Sequence, residues 1–385
     1  MNEAYPFLQL KGHAPGFSDE FVSMSTRSKD IIFLLGAGAS AEAGIPTSGQ
    51  MVSQIETLLK ENDEWKQFLD LYHHIKSAIH YAAGLKGLFN NAVLYNIETL
   101  VNTLYELERN EEHPLYPFIA SWNSRLIALA GSDFSKVKQF RTLILRRLKN
   151  WVSPDDTSLA DYYRGFAELQ RDLNFPLRIF SLNYDLCVER LYSPDFRVET
   201  GFGGIGPKHP WNWERFEDSD AGPLPPQVYL YKLHGSISWK RDEATQDLFL
   251  VEQTEGIEPG KMEVIFGRDF KLEAADPYLF YVYEFRKFSL LTRLIISLGY
   301  GFGDFHINKM LAQALRDDLN RRLLIIMNCN DDDVKRRNQK EITKELGVGE
   351  AQIIVNNGTA KEFLETQNLQ NELVALIPKA PDDPF

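Results

Sequence analysis

Cysteine is nearly absent from this 385-residue chain, which carries only Cys187 and Cys329. Two isolated thiols give no disulfide framework, and without any Cys-x-x-Cys pair there is no cysteine-rich zinc module. His73, His74 and His80 stand apart from other candidate ligands, so no resident metal is expected. Positive charge is also short. The formal net charge of −12 excludes nonspecific nucleic-acid binding by the whole surface, and no direct nucleic-acid contact is expected. The clusters Arg146-Arg147-Lys149 and Lys335-Arg336-Arg337 read as solvated helix faces, though either could touch an acidic partner. No apolar run reaches membrane-spanning length and the N-terminus shows no signal-peptide pattern, so a cytoplasmic protein without membrane contact is expected. Proline is missing between Pro46 and Pro114, which leaves that stretch free to be helical.

What is present suits a globular chain: 44% apolar and 25% charged residues, enough to bury a large core as one α/β domain with a helical part or as two domains. The organising stretch begins with Ile31-Ile32-Phe33-Leu34-Leu35, an unbroken apolar run of the kind needed by a strand buried on both faces. It stops at Gly36-Ala37-Gly38-Ala39-Ser40 and passes through Gly44-Ile45-Pro46 into a helical pattern. Glycines at a strand-to-helix junction let the backbone approach an anion, and the helix end favours a diphosphate. Ser40 can add a hydroxyl donor there. The common dinucleotide fingerprint would place a second strand and a ribose-binding carboxylate about 20 residues on. Here the chain instead reads as helix until Leu177.

Four further apolar runs are predicted strands with polar or glycine-rich ends. Leu177–Leu182 ends in Asn183-Tyr184-Asp185, and Val228–Leu233 ends in His234-Gly235-Ser236. Leu294–Leu298 leads into Gly299-Tyr300-Gly301-Phe302-Gly303-Asp304, and Leu323–Met327 ends at Asn328. Ile353–Val355 is the last predicted strand and Met262–Phe266 a weaker one. Ligand groups gather at the carboxyl ends of strands in open α/β sheets. Between the first two strands, Ile97, Leu100, Val101, Leu104 and Leu107 mark a helix with Asn96 as N-cap. Val137, Phe140, Ile144, Leu148 and Trp151 mark another, and a third is predicted from Leu159 to Arg171. The long Gly- and Pro-rich loop from Gly201 to Gln227 is expected to be a lid.

The string from Gly36 to Pro46 resembles the NAD-binding opening of the sirtuin family, and the later strand ends resemble the rest of that site. The resemblance covers residues 29–50 and 175–360. It implies an α/β fold with a Rossmann-like parallel sheet of the sirtuin type and a large helical insertion. Gly36, Ala37, Gly38 and Ser40 would hold the diphosphate of NAD. Asn183 and Asp185 match the family's Asn-x-Asp at the nicotinamide ribose, and His234 matches its general base. Gly299, Tyr300, Gly301 and Asn328 fall where sirtuins hold the adenosine ribose. Thr47-Ser48-Gly49 replaces the family's Phe-Arg pair, and the four-cysteine zinc module is missing.

The glycine and His-Gly-Ser strings look closer to bacterial sirtuin-like proteins of antiphage defence than to deacylases. That likeness implies hydrolysis of NAD+ to nicotinamide and ADP-ribose with catalytic residues Asn183, His234 and Asp185, and with NAD+ as substrate. It also implies an NAD-depleting effector, a homo-oligomer and a HerA-type ATPase partner. A noncatalytic NAD or ADP-ribose sensor and a sirtuin-type deacylase are the alternatives. The expected divisions are an N-terminal arm (1–28), an NAD-binding domain (29–50 and 173–360), a helical insertion (51–172) containing nothing catalytic, and a C-terminal helix and tail (361–385).

Overall fold

The five side chains of strand β1 (Ile31–Leu35) are all buried, because the strand lies in the middle of a sheet covered on both faces. Alternation sends Ile31, Phe33 and Leu35 into one apolar layer and Ile32 and Leu34 into the other. Burial of each such side chain is worth roughly 1.5–3 kcal/mol, which explains why the run holds no polar residue. The structure, a computed structural model, describes residues 29–89, 93, 95–109, 124–131, 133–203, 209–217, 224–251, 254, 257–265 and 276–378. The expected arm at 1–28 and the end of the tail lie outside those residues.

The sheet contains β1, β2 (Leu177–Ser181), β3 (Val198–Glu199), β4 (Val228–Lys232), β5 (Leu294–Leu298), β6 (Arg322–Met327) and β7 (Ile353–Asn357). Their spatial order is β7-β6-β5-β1-β2-β4-β3, and every adjacent pair is parallel. This is the α/β, Rossmann-like class expected. From β1 the chain builds first toward β2, β4 and β3, and then returns to the other side of β1 with β5, β6 and β7. The switch point therefore lies between β1 and β5, where a crevice opens beyond the strand ends.

Between β1 and β2 run α1 (Ser48–Glu61), a turn of helix at Asp63–Lys66, α2 (Leu69–Gly84), α3 (Ile97–Arg109), α4 (Ser124–Ala130) and α5 (Ser135–Trp151). Asn96 caps α3 as expected, its Oδ1 accepting the Thr99 N–H at 2.9 Å. Ile97, Leu100, Val101 and Leu104 join Val137, Phe140, Ile144 and Leu148 in the same core as Phe33. The helix expected from Leu159 to Arg171 is divided into a 3-10 segment, Thr157–Arg164, and α6 (Gly165–Leu173). At the division Gly165 packs so closely on Leu364 that an added Cβ would lie 2.2 Å from its carbonyl oxygen. The opposite face carries α7 (Tyr278–Leu291), α8 (Phe305–Asp317) and α9 (Asp332–Leu346). Two short helices, Ala360–Leu364 and Leu369–Leu376, close the chain where one was expected.

The edge strand β3 had no apolar run to betray it. Its Glu199 is buried and is held by Arg197 and by Arg215, whose Nε donates to Oε1 at 3.0 Å. Arg215 belongs to the loop expected to be a lid. In the described part of that loop, Phe216 joins the second core and the Trp211 Nε1–H donates to Tyr281 Oη at 2.9 Å. None of these residues lines the crevice beyond β1 and β5, and apolar side chains and a buried ion pair dock this described part on the other face; residues 204–208 and 218–223 of the expected lid lie outside the described residues.

Candidate active site

The crevice encloses a cavity of about 340 Å³. Gly36, Ala37 and Gly38 after β1 line it, with Asn183, Tyr184 and Asp185 after β2, His234 after β4, and Gly299, Tyr300, Gly301, Gly303 and Asp304 after β5. Thr47, Ser48 and Gly49, at the start of α1, also face it. So do Asn96, Ile97 and Glu98 at the start of α3. The helical stretch, read from the sequence as containing nothing catalytic, thus supplies a carboxylate to the wall.

The glycines have a function besides making room for a ligand. The Gly36 N–H donates to the Leu298 carbonyl at 3.0 Å and the Gly38 N–H to the Gly299 carbonyl at 2.9 Å. A Cβ on Gly36 would lie 2.5 Å from Tyr300 Cα, and one on Gly299 would lie 2.2 Å from the Ala39 nitrogen. Gly299 also has φ 61°, in the left-handed region. The turns after β1 and β5 are thus locked backbone to backbone, and two amides read as anion donors are already committed. Gly301 differs: it lines the cavity and an added Cβ there would meet nothing within 4 Å.

Ser40 does not line the cavity. Its Oγ donates to Asp185 Oδ2 at 2.7 Å, accepts from Asn183 Nδ2 at 3.0 Å and meets Tyr163 Oη at 2.9 Å. The hydroxyl expected to reach a diphosphate is instead the buried hub that fixes the Asn183-Tyr184-Asp185 turn to the β1 turn. Asp185 Oδ1 accepts the Cys187 N–H at 3.0 Å, and its own carbonyl accepts the Lys232 ammonium, which also meets Glu189 Oε1 at 3.0 Å. Ser40→Ala should consequently cost roughly 1–3 kcal/mol for each buried polar group it strands. Denaturant unfolding measures this. Unchanged stability with weakened ligand binding would instead return Ser40 to the ligand.

His234 follows β4 and is 3% exposed. Its Nε2 lies 3.0 Å from Asp304 Oδ2. Asp304 is itself the N-cap of α8, its Oδ1 accepting the N–H groups of His306 and Ile307 at 2.8 and 3.0 Å. The aspartate is thus fixed by backbone donors while it orients the imidazole. Burial opposes protonation of His234, but the Asp304 hydrogen bond and the charges of Glu98 and Asp304 outweigh it, and the pKa is raised above 6.5. Burial likewise works against Asp304 ionisation and is overcome by the His234 bond, so that carboxyl titrates below its ordinary value. Glu98 is partly buried, and desolvation, reinforced by Asp304 and offset by His234, raises its pKa. Because the folded-state pKa of His234 lies above its unfolded value, its protonation stabilises the fold fully below pH 6.5, and that increment fades as pH rises through the raised value.

Tyr300 secures the β5 turn: its Oη donates to Asn308 Oδ1 at 2.8 Å, and Asn308 Nδ2 donates to the Phe302 carbonyl at 2.8 Å. Asn328 stands exposed at the end of β6 and does not line the cavity. Of the residues expected at a site, Asn183, Asp185, His234, Gly36, Ala37, Gly38, Gly299, Tyr300 and Gly301 are therefore brought together, while Ser40 lies beneath and Asn328 outside. Asp304 was not singled out; its signal is an aspartate placed directly before the α8 residues, where it caps the helix, while its pairing with His234 leaves no sequence signal. Glu98 carried no signal beyond one acidic position on an amphipathic helix.

Among the described residues, no group of three or more His, Cys, Asp or Glu could hold a metal ion. No described helix is long and apolar enough to cross a membrane. No curated relative matches the sequence. Among solved structures the chain is similar to a complex of a Sir2 homolog with NAD, at 15% identity and TM-score 0.40 over 95% of this chain and 97% of that one. It is also similar to a Sir2 complex with a peptide and NAD+, at 13% identity and TM-score 0.38 over 93% and 98%. Residues 177–348, which include Asn183, His234 and Asp304 but not Gly36 or Glu98, match the family model described as a SIR2-like domain.

Proposed function

We propose that this protein hydrolyses the bond between nicotinamide and ribose in NAD+. The observation that carries the reading is the His234–Asp304 pair on the wall of a cavity that also presents Asn183 and Glu98. In the proposed reaction the C1′–N bond breaks and its electron pair leaves with nicotinamide, so C1′ gains oxocarbenium character. A water oxygen then bonds to C1′, and its proton passes to the neutral His234 imidazole. Asp304 holds the ring and stabilises the imidazolium that results. Asn183 orients the ribose hydroxyls or the water, while the carboxylates of Asp304 and Glu98 set negative charge near the developing cation. Asp185 acts through Ser40, keeping Asn183 in place.

Incubation of the purified protein with NAD+ alone should yield nicotinamide and ADP-ribose in equal amounts. NAD+ binding without nicotinamide release would favour the sensor, and release only with an acylated peptide would favour the deacylase. The defence setting implied by the resemblance forms part of the same proposal. Cells carrying the chain with a HerA-type ATPase should lose NAD+ on phage challenge, whereas His234→Ala should spare it, and light scattering should report a homo-oligomer.

A further inference from the structure

Trp151, Val152 and Ser153 separate two cavities. Val152 lines the one described above, whereas Trp151 and Ser153 line a second cleft of about 900 Å³. The same division recurs after β1, where Ile45 faces the first and Gly44 the second. The cleft is bordered by Arg146, Arg147 and Lys149 of α5, a positive cluster on a chain with net charge −12. Its acidic residues are Asp155 and Glu258, and Glu258 already meets Lys261 at 3.6 Å.

Three of the cleft's polar side chains differ in how they are committed. The Lys149 ammonium donates to the Ile257 carbonyl at 2.8 Å. Arg147 has no ion pair and no hydrogen bond among the described residues, and its Nε is buried. Its guanidinium carbon lies 5.3 Å from the centre of the Trp151 ring, which is fixed by an Nε1–H bond of 2.7 Å to Gln54 Oε1. Ser153 Oγ is likewise buried and without a hydrogen-bond partner among the described residues. Native proteins leave few buried polar atoms unpaired, and two bordering one cleft call for an occupant. A planar guanidinium backed by an indole, beside a hydroxyl, suits the oxygens of a phosphate group. The volume falls within the roughly 300–1,000 Å³ typical of small-molecule sites.

We propose that this cleft is a second ligand site that takes a small phosphate-bearing anion, and that its occupancy acts on the first cavity through Gly44–Ile45 and Trp151–Ser153. The inference holds whatever ligand the first cavity takes. Calorimetry on the full chain with inorganic tripolyphosphate and, separately, with ATP tests it. Both should bind the parent protein and bind at least about tenfold more weakly to Arg147→Ala, the size expected for loss of one charged hydrogen-bond donor. Arg147→Gln, which keeps most of the stem over Trp151, should behave the same way and guards against misfolding. Equal affinities assign recognition to the phosphate chain, and tighter ATP binding adds a nucleoside contact. Saturating anion should slow amide hydrogen exchange in residues 45–51 of the parent but not of Arg147→Gln. Three results would overturn the proposal: neither probe binding at millimolar concentration, unweakened binding by both Arg147 variants, or unchanged exchange in residues 45–51 at saturation.

Discussion

His234→Ala is expected to reduce nicotinamide release by roughly 100- to 10,000-fold, the range contributed by a positioned general base. NAD+ should still stabilise the variant against heat, since the substitution leaves the glycine turns intact and ligand binding raises melting temperature by mass action. Stability without ligand should fall only modestly, because Asp304 keeps the two α8 backbone donors that fix it. The pH profile gives a sharper check. The proposed reaction needs the neutral imidazole, and the pKa of His234 is raised above 6.5, so activity should rise with pH along a limb centred above that value. Asp304→Asn keeps an N-cap but removes the charge, and should move the limb toward lower pH. Glu98→Gln should move it in the same direction by less, because it removes charge but no hydrogen bond to the ring. A parental rate for His234→Ala would make this a structural histidine, and a limb that ignores Asp304→Asn would separate the pair from catalysis.

Gly36→Val is expected to damage the fold and not merely the affinity for NAD+. Its Cβ would lie 2.5 Å from Tyr300 Cα and 2.7 Å from the Gly299 carbonyl oxygen, and both obstacles are backbone. Overpacking usually costs about 1–3 kcal/mol when side chains can yield. Here a whole turn must move, breaking the hydrogen bonds from the Gly36 and Gly38 amides to the Leu298 and Gly299 carbonyls, so the loss should reach or exceed the top of that range. Thermal melting without ligand should show it, and Gly36→Ala should reproduce it in part. Gly301→Ala supplies the contrast. With open space around it, that variant should melt like the parent while binding NAD+ more weakly, because it adds a methyl to a residue of the cavity wall. A Gly36→Ala variant with parental stability and weakened NAD+ binding would reverse the argument and restore the glycine to the ligand.

The parallel sheet was legible because its strands are short apolar runs that end at polar or glycine punctuation. Ile31–Leu35 and Leu294–Leu298 were readable to the residue, since both lie at the centre with both faces covered. The edge strand Val198–Glu199 was not, because two residues held by an Arg–Glu–Arg group have no periodicity to read. In the cavity, His234 and Asn183 were visible as polar residues closing apolar strands. Their partnerships were not. Whether Asn183 meets Ser40 or His234 meets Asp304 depends on sequence separations of 143 and 70 residues that only the assembled sheet closes. Glu98 reaches the same wall from a helix whose pattern predicts burial and says nothing of what its first turn faces.

The interlocked turns bear on how a chain like this could change over time. A glycine whose missing side chain is demanded by another stretch of backbone is protected by folding, whether or not anything binds beside it. A descendant could therefore lose the proposed activity altogether and still carry Gly36, Gly38 and Gly299 unaltered, since the interlocked turns need them for folding. The groups freer to drift would be His234 and Glu98, which hold no backbone of the interlocked turns. Gain or loss of turnover among kindred sequences should accordingly be recorded at those few positions, while the glycine signature remains a record of architecture.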